Sequence, residues 1–410
     1  MHRTTRNANE QSGPEHYETG ETLEVKIEKI VPGGSGLAFA ENLTVFVPLS
    51  APGDKLRVRI NKIKGRTAFA EIEEVIEPST LRVEPPCPYF GACGGCDFQQ
   101  LNYAAQLDAK TAIIRDCLHR IAKIEYENEI PVVASPQAFD YRLRAQWHAD
   151  TQNRTIGYFR RESHDVIDVD HCPIATPALN RVLADLRSGI EWANIWSNRI
   201  AIEAAVGDNG EASTYSSEIL NPTNEISIRA HGEAYTFSAQ TFFQGNQYLI
   251  EKLIDLTVEG TSAGTAIDLF CGVGLFSLPL ARKFRKVIGV ESNELAIEFA
   301  KKNAANAGLA NIEFVSDGVE KFLRHAGPGE IDLIVFDPPR SGTSKDTIFR
   351  MLALKPKTIS YVSCEPSILA RDLRWLLDRG CTIESITALD LFPQTHHVET
   401  IVRLSQNHLA

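Results

Sequence analysis

The sequence contains no apolar run long enough to cross a membrane and no apolar leader near its N-terminus. A spanning helix needs about 20 consecutive apolar residues. Their absence predicts a cytoplasmic protein with no membrane partner. An excess of positive charge is also missing, since 42 Lys and Arg face 53 Asp and Glu for a net charge of -11. That balance argues against a protein that coats nucleic acid by bulk charge, and it leaves room for a local basic surface. There is no internal repeat and no long low-complexity segment. At 410 residues and 43% hydrophobic content, the chain is long enough for two or three domains, each with a sizeable core.

A full dinucleotide signature is absent as well. Ala266-Ile267-Asp268-Leu269-Phe270 reads as a buried strand, and 275–284 reads as the helix after it, with Gly272 and Gly274 at the turn. Glycines there let the backbone approach a ligand closely. Where a pyrophosphate would ask for a third glycine stands Ser277, which weakens a dinucleotide reading. S-adenosylmethionine carries a ribose and an adenine but no phosphate, so the shorter signal suits it. The next strand, 286–290, ends at Glu291, placed to accept hydrogen bonds from a ribose. A third strand ends at Asp317, which could face the adenine amino group or cap the following helix. Asp337-Pro338-Pro339-Arg340 follows a fourth strand, and its prolines make a rigid lip beside the ligand. A further strand, Tyr361-Val362-Ser363, stops at Cys364 on the ligand side of the sheet. Lone cysteines are usually buried packing residues, but a strand-end thiol can act as a nucleophile. Glu399 follows His397 and Val398, just before the last strand.

The series Asp268–Gly274, Asp337–Arg340, Tyr361–Pro366 and His397–Glu399 resembles the RNA 5-methyluridine methyltransferase family, over nearly the whole chain. The resemblance implies S-adenosylmethionine as cofactor and carbon 5 of a uridine in ribosomal or transfer RNA as the methyl acceptor. It implies Cys364 as nucleophile, Glu399 as general base, and Asp337 in the shared cofactor and substrate pocket. Phe242-Phe243-Gln244-Gly245-Asn246 is similar to a family segment whose glutamine contacts the methyl donor, so Gln244 joins Phe270, Gly272, Glu291 and Asp317 as expected cofactor contacts. Glu365 stands where the family often has Asn, and Leu275 likewise. The chemistry needs these residue types. A thiolate adding to carbon 6 makes carbon 5 nucleophilic, and a base then removes the carbon-5 proton so that the thiol can leave.

Four of the eight cysteines form a second pattern. Cys87, Cys93 and Cys96 are spaced C-x5-C-x2-C in a loop rich in Gly and Pro, and Cys172 follows in Asp170-His171-Cys172-Pro173. Three close thiols and one distant thiol can complete a four-sulfur cage for a cluster or for structural zinc, and the spacing leaves both open. The resemblance implies a [4Fe–4S] cluster. The CxxxCxxC run of radical methyl transfer is absent, so the cluster is expected to fold a loop or support RNA. Cys117, Cys271 and Cys381 read as packing residues.

Lys55, Arg57, Arg59, Lys62, Lys64 and Arg66 crowd one stretch with no acid among them, alternating at first with Leu56, Val58 and Ile60. Alternation puts bases on one strand face and apolar residues in a core. With short alternating strands at 23–30, 36–40, 44–48, 55–64 and 67–76, this predicts a small five-stranded barrel of the OB kind. It resembles the TRAM module, an RNA-binding barrel.

The expected fold class is α/β. A flexible tail covers 1–17, the barrel 18–78, a central α+β domain with the cysteine loop 79–237, and a Rossmann-like methyltransferase domain 238–410. Asn102–Ala122 reads as one amphipathic helix, and Arg142, Arg144 and Trp147 are candidate RNA contacts or structural residues. The chain is expected to act as a monomer on RNA. Ribosomal RNA is the first expectation and the transfer RNA T-loop the second. A non-catalytic RNA-binding metalloprotein is the alternative of another class.

Overall fold

A computed structural model describes residues 17–219, 223–260, 264–327 and 329–406. The expected tail at 1–17 lies outside the described residues, apart from Tyr17. The chain divides into two compact units, one ending at Arg82 and the other beginning at Val83.

The first unit is a single six-stranded sheet in the order Thr22–Lys26, Lys55–Lys64, Thr67–Glu77, Leu43–Val47, Gly36–Ala40, Lys29–Ile30. The two edge strands are neighbours in sequence, parted only by Ile27 and Glu28, so the sheet curls round into a barrel. The expected strand at 23–30 is thus broken into two, which makes six strands of the expected five. Leu56, Val58 and Ile60 point into a core with Val25, Val45 and Val47, as alternation requires. The bases on the other face are less free than the sequence suggests. Arg57 pairs with Glu24 and Glu74, Arg59 with Glu73 at 2.7 Å, and Lys55 with Glu77 at 3.4 Å. Lys62, Lys64 and Arg66 are exposed and have no ion pair among the described residues. Asp54, fully buried, is satisfied by the Ala51 and Ser79 amides at 2.7 and 2.9 Å and by Arg82 at 2.5 Å.

The second unit combines a five-stranded antiparallel sheet, a hairpin and an eight-stranded sheet. The antiparallel sheet runs Val166–Asp168, Thr155–Phe159, Arg144–Asp150, Arg199–Val206, Ala212–Tyr215. In the large sheet, the strands Ile312–Ser316, Lys286–Glu291, Thr265–Leu269, Leu333–Phe336 and Thr358–Ser363 are parallel neighbours in that order. Glu399–Gln406 then adds antiparallel to Thr358–Ser363, and Cys381–Leu389 adds antiparallel to Glu399–Gln406. Strand order reverses at Thr265–Leu269, and ligands in such sheets bind beyond the carboxyl ends at that crevice. One buried core runs from Leu143 and Trp147 through Leu253 and Leu278 to Ile401, so both sheets of this unit share it.

The expected helix at 102–122 is α-helical over Tyr103–Cys117, with the Asn102 side chain accepting from the Ala105 amide at 3.0 Å. It continues as a π-helical stretch, Leu118–Ala122. Its buried face includes Gln106 and Lys110, both polar. Trp147 is 0% exposed, and the Arg144 guanidinium donates to the Thr241 and Ala239 carbonyls. Trp147 therefore cannot stack on a base; of the two readings, the structural one holds for it. Cys117, Cys271 and Cys381 are buried, as packing residues should be.

Candidate active site and cysteine cavity

The strand Thr265–Leu269 delivers the chain to Phe270, whose φ of 67° is left-handed. A bulky residue there is strained, and such strain persists only where the surroundings dictate the backbone. The Phe270 and Cys271 amides both donate to Val290 O, at 2.9 and 3.0 Å, which pins the turn to the next strand. Gly274, at φ 94°, has a left-handed backbone that strains any side chain, and a Cβ there would also press on Leu278 Cδ1 at 2.8 Å. The Glu291 carboxylate closes the loop from the other side, accepting from the Gly272 amide at 3.3 Å and the Asn293 amide at 2.8 Å. Asp317 lies one strand further on. It accepts from the Gly318 amide at 2.8 Å and from Lys321 at 3.1 Å, so it is not a regular helix cap. Beneath the loop, Asp268 is fully buried, accepts from Ser277 Oγ at 2.5 Å through one oxygen, and leaves the other without a partner among the described residues. Burial raises its carboxyl to about 7; the Ser277 bond opposes this and Glu291 adds to it.

Asp337 sits one strand over, its amide directed at Leu269 O at 3.4 Å. Burial, with the Asp268 charge, raises it to about 7. Antiparallel pairing then sets the reacting groups. Ser363 is opposite Thr400, so the next residue on one strand, Cys364, comes level with the preceding residue on the other, Glu399. Glu399 is 3% exposed, and burial, then Asp337, raises it well above the ordinary carboxylate range, with Arg340 opposing. Burial, then Glu399, pushes the Cys364 thiol up to about 12; Asp337 adds, while the nearby Arg340 guanidinium pulls it down and is within hydrogen-bond reach. Thiol, carboxylate, aspartate and the exposed Arg340 guanidinium therefore lie close enough to act on one another's charge. The sequence reading left Arg340 without a role, although it stood inside a quoted motif. Burial, then His396 and Arg340, holds the His397 imidazole down at about 3, so it is neutral at physiological pH.

Gln244 is 5% exposed, next to Phe242, which is 68% exposed with the Arg144 guanidinium 5.9 Å from its ring centre. The segment is anchored by Asn246, which donates to Ser135 Oγ at 3.1 Å and to Leu391 O at 3.3 Å. Glu365, the departure from the family pattern, caps the helix Pro366–Leu377 by accepting from the Ser367 amide and hydroxyl at 3.3 and 2.8 Å. Leu275 is buried.

Cys87, Cys93, Cys96 and Cys172 all line one largely apolar cavity, together with Arg142 and Tyr158. Burial pushes the Cys87, Cys93 and Cys96 thiols up, and Cys172 adds to each. The Arg142 guanidinium is half-buried beside Cys172 and Cys96, with its Nε donating to Arg144 O at 2.8 Å. A half-buried cation in the same cavity as four cysteines suits an anionic thiolate cage. Among the described residues, no group of three or more His, Cys, Asp or Glu side chains is arranged to ligate one metal ion. Nor is any described helix long and apolar enough to cross a membrane.

Residues 215–407 match the family model of tRNA (uracil-5-)-methyltransferases, and residues 17–72 match that of the TRAM domain. The chain is 31% identical to the 23S rRNA (uracil(1939)-C(5))-methyltransferase RlmD of Shewanella sediminis, over 93% of this chain and 94% of that one. It is 33% identical to an uncharacterised RNA methyltransferase of Protochlamydia amoebophila, over 94% and 98%. Among solved structures, it is similar to the Pyrococcus abyssi tRNA (uracil-54, C5)-methyltransferase in complex with S-adenosyl-L-homocysteine, with TM-score 0.71 and 27% identity over 93% of this chain and 100% of that one. A glycine loop at the crevice of a Rossmann-like sheet, a thiol and a carboxylate at the ends of two of its interior strands, and these likenesses lead to one conclusion: the chain belongs to the S-adenosylmethionine-dependent RNA uracil-C5 methyltransferases.

Proposed function

We propose that the protein methylates carbon 5 of a uridine in 23S ribosomal RNA through a covalent adduct between Cys364 and carbon 6 of the base. The observation that carries this reading is the register that sets Cys364 level with Glu399 beside Asp337 and Arg340. In the free pocket the thiol is protonated, because burial and two acids oppose its ionisation. The Cys364 proton passes to solvent water as sulfur adds to carbon 6, with Arg340 favouring the thiolate and an enolate forming on the ring. Carbon 5 then takes the methyl. Glu399, ionised at that stage, removes the carbon-5 proton; the electrons re-form the 5,6 double bond and expel the Cys364 sulfur. Gln244, Phe270, Gly272, Glu291, Asp317 and Asp337 are assigned to hold the methyl donor at the end of the sheet.

Ribosomal RNA is favoured by the full-length likeness to the Shewanella sediminis enzyme. The transfer RNA T-loop is the second reading, supported by the likeness to the Pyrococcus abyssi enzyme. Cys87, Cys93, Cys96 and Cys172 are assigned to a [4Fe–4S] cluster, supported by their common cavity and the Arg142 charge beside Cys96 and Cys172. The cluster would hold its loop in place and takes no part in methyl transfer. The barrel at 18–78 would add phosphate contacts.

Two experiments test this. Mapping 5-methyluridine in all RNAs of a strain lacking the gene identifies the target; an intact 23S pattern with a missing T-loop methyl would move the assignment to transfer RNA. With that RNA, Cys364→Ala should form no covalent complex, and Glu399→Gln should accumulate a methylated protein–RNA adduct on denaturing gels. Full activity in Cys364→Ala would end the nucleophile assignment. Anaerobically purified protein should contain about four iron and four sulfide per chain, as one such cluster has, and stoichiometric zinc without sulfide would overturn the cluster.

A further inference from the structure

The residue after Cys96 is Asp97, and it reaches out of the cysteine loop to the segment that leads into Glu399. Its Oδ2 is 2.7 Å from His396 Nδ1, and its Oδ1 accepts from Arg161 at 3.1 Å. Arg161 also donates to Cys96 O at 2.6 Å, so the carboxylate is fixed on the loop side. The backbone repeats the connection. The Asp97 and Phe98 amides both donate to Gln394 O at 3.0 Å. Gln394 is held at a left-handed φ of 70°, which a non-glycine residue adopts only when its surroundings dictate it. Its buried side chain and amide exchange two bonds of 3.0 Å with Gln106. The His396 ring lies 4.2 Å from that of His397, and the chain passes through fully buried Val398 to Glu399.

From these contacts we infer that Asp97 and His396 are a positioning pair, through which the cysteine loop sets the placement of the Glu399 carboxylate for proton removal. The inference rests on Glu399 being the base. None of the contacts involves Cys364, which is carried by a different strand, nor the glycine loop that receives the cofactor. The pair should therefore matter to the second half of the reaction and not to the first. A purely structural bond would instead affect folding, or every step equally.

The test uses full-length protein with its metal content measured, and the RNA that wild type methylates. His396→Ala, Asp97→Ala and the double variant are compared in single turnovers, reading appearance and decay of the covalent adduct on denaturing gels. Adduct formation should stay within about twofold of wild type. Decay should slow about 10- to 100-fold, the scale of a catalytic group misplaced by about 1 Å. The double variant should be no slower than the worse single variant, because one connection is being cut. His396→Asn, which keeps an N–H near the Nδ1 position, should recover most of the decay rate and guards against misfolding of the alanine variants. Equal slowing of formation and decay, wild-type decay, or no recovery in His396→Asn would each overturn the pairing role. Glu399→Gln is run alongside. If its adduct decays normally, the base assignment falls and the inference with it; if it accumulates while the pair variants decay normally, only the inference falls.

Discussion

The free enzyme should keep its nucleophile masked, and the masking can be measured. Cys364 is raised from an ordinary value of 9.0 to about 12, first by burial and then by Glu399 and Asp337. Three units lower the thiolate population at neutral pH about 1,000-fold. A thiolate of higher pKa is intrinsically more nucleophilic, with a Brønsted slope of about 0.4–0.5 in disulfide exchange. That returns about 15- to 30-fold, so Cys364 should react with a small aromatic disulfide about 30- to 60-fold more slowly than an unperturbed thiol at pH 7. Rates are best read peptide by peptide by mass spectrometry, which separates Cys364 from the loop cysteines. The sign of each neighbour can be tested in the same assay. Glu399→Gln removes a group whose ionisation opposes the thiolate and should accelerate labelling at alkaline pH, where Glu399 is charged, whereas Arg340→Met removes the opposing cation and should slow it further. The wild-type rate should still climb about tenfold per pH unit through pH 10, since the thiol titrates above that. Labelling at the free-thiol rate, or a plateau near pH 9, would refute the claim that the pocket holds Cys364 protonated until RNA arrives.

Asp268 gives a stability prediction of definite sign. Its folded value of about 7 exceeds the ordinary 3.8, so the folded state binds the proton more tightly and loses stability as pH rises from about 4 to 7. Asp268→Asn should therefore stabilise the cofactor-free protein at pH 8, by up to about 4 kcal/mol, and do little near pH 4; urea unfolding with equal shifts at both pH values would contradict this. Glu291→Ala should weaken S-adenosylmethionine binding by about 1.5–3 kcal/mol, the range for hydrogen bonds to a charged group. Calorimetry showing unchanged affinity would remove this strand end from the site. In the barrel, replacing Lys62, Lys64 and Arg66 with Ala should flatten the salt dependence of RNA binding, by about 0.7–0.9 in slope per lost phosphate contact. Replacing Arg57 and Arg59, already matched by glutamates, should change the slope less; equal effects would show that the ion pairs open on binding.

What the sequence determined by itself is whatever local pattern dictates. The alternation of Leu56, Val58 and Ile60 sets which face of that strand is buried, because side chains alternate across a strand whatever its neighbours are. The glycine turn between strand and helix, and an acid ending the next strand, were legible for the same reason: each is a feature of contiguous chain. Spacing grouped Cys87, Cys93 and Cys96 and offered Cys172 as the distant fourth, and the structure brings all four to one cavity. Other features depended on partners distant in sequence. Lys110 and Gln106 are polar residues on a helix, yet they are buried because Asp390 and Gln394, nearly three hundred residues away, supply the compensating charge and hydrogen bonds. The basic strand looked uniformly charged until the adjacent strand brought Glu73, Glu74 and Glu77 against it. Trp147, an RNA candidate by type, became a core residue once two sheets closed over it. Most of all, nothing local relates Cys364 to Glu399. Only antiparallel pairing of Thr358–Ser363 with the last strand sets thiol and carboxylate level, and burial there, with the neighbouring acids, raises the proton affinity of both.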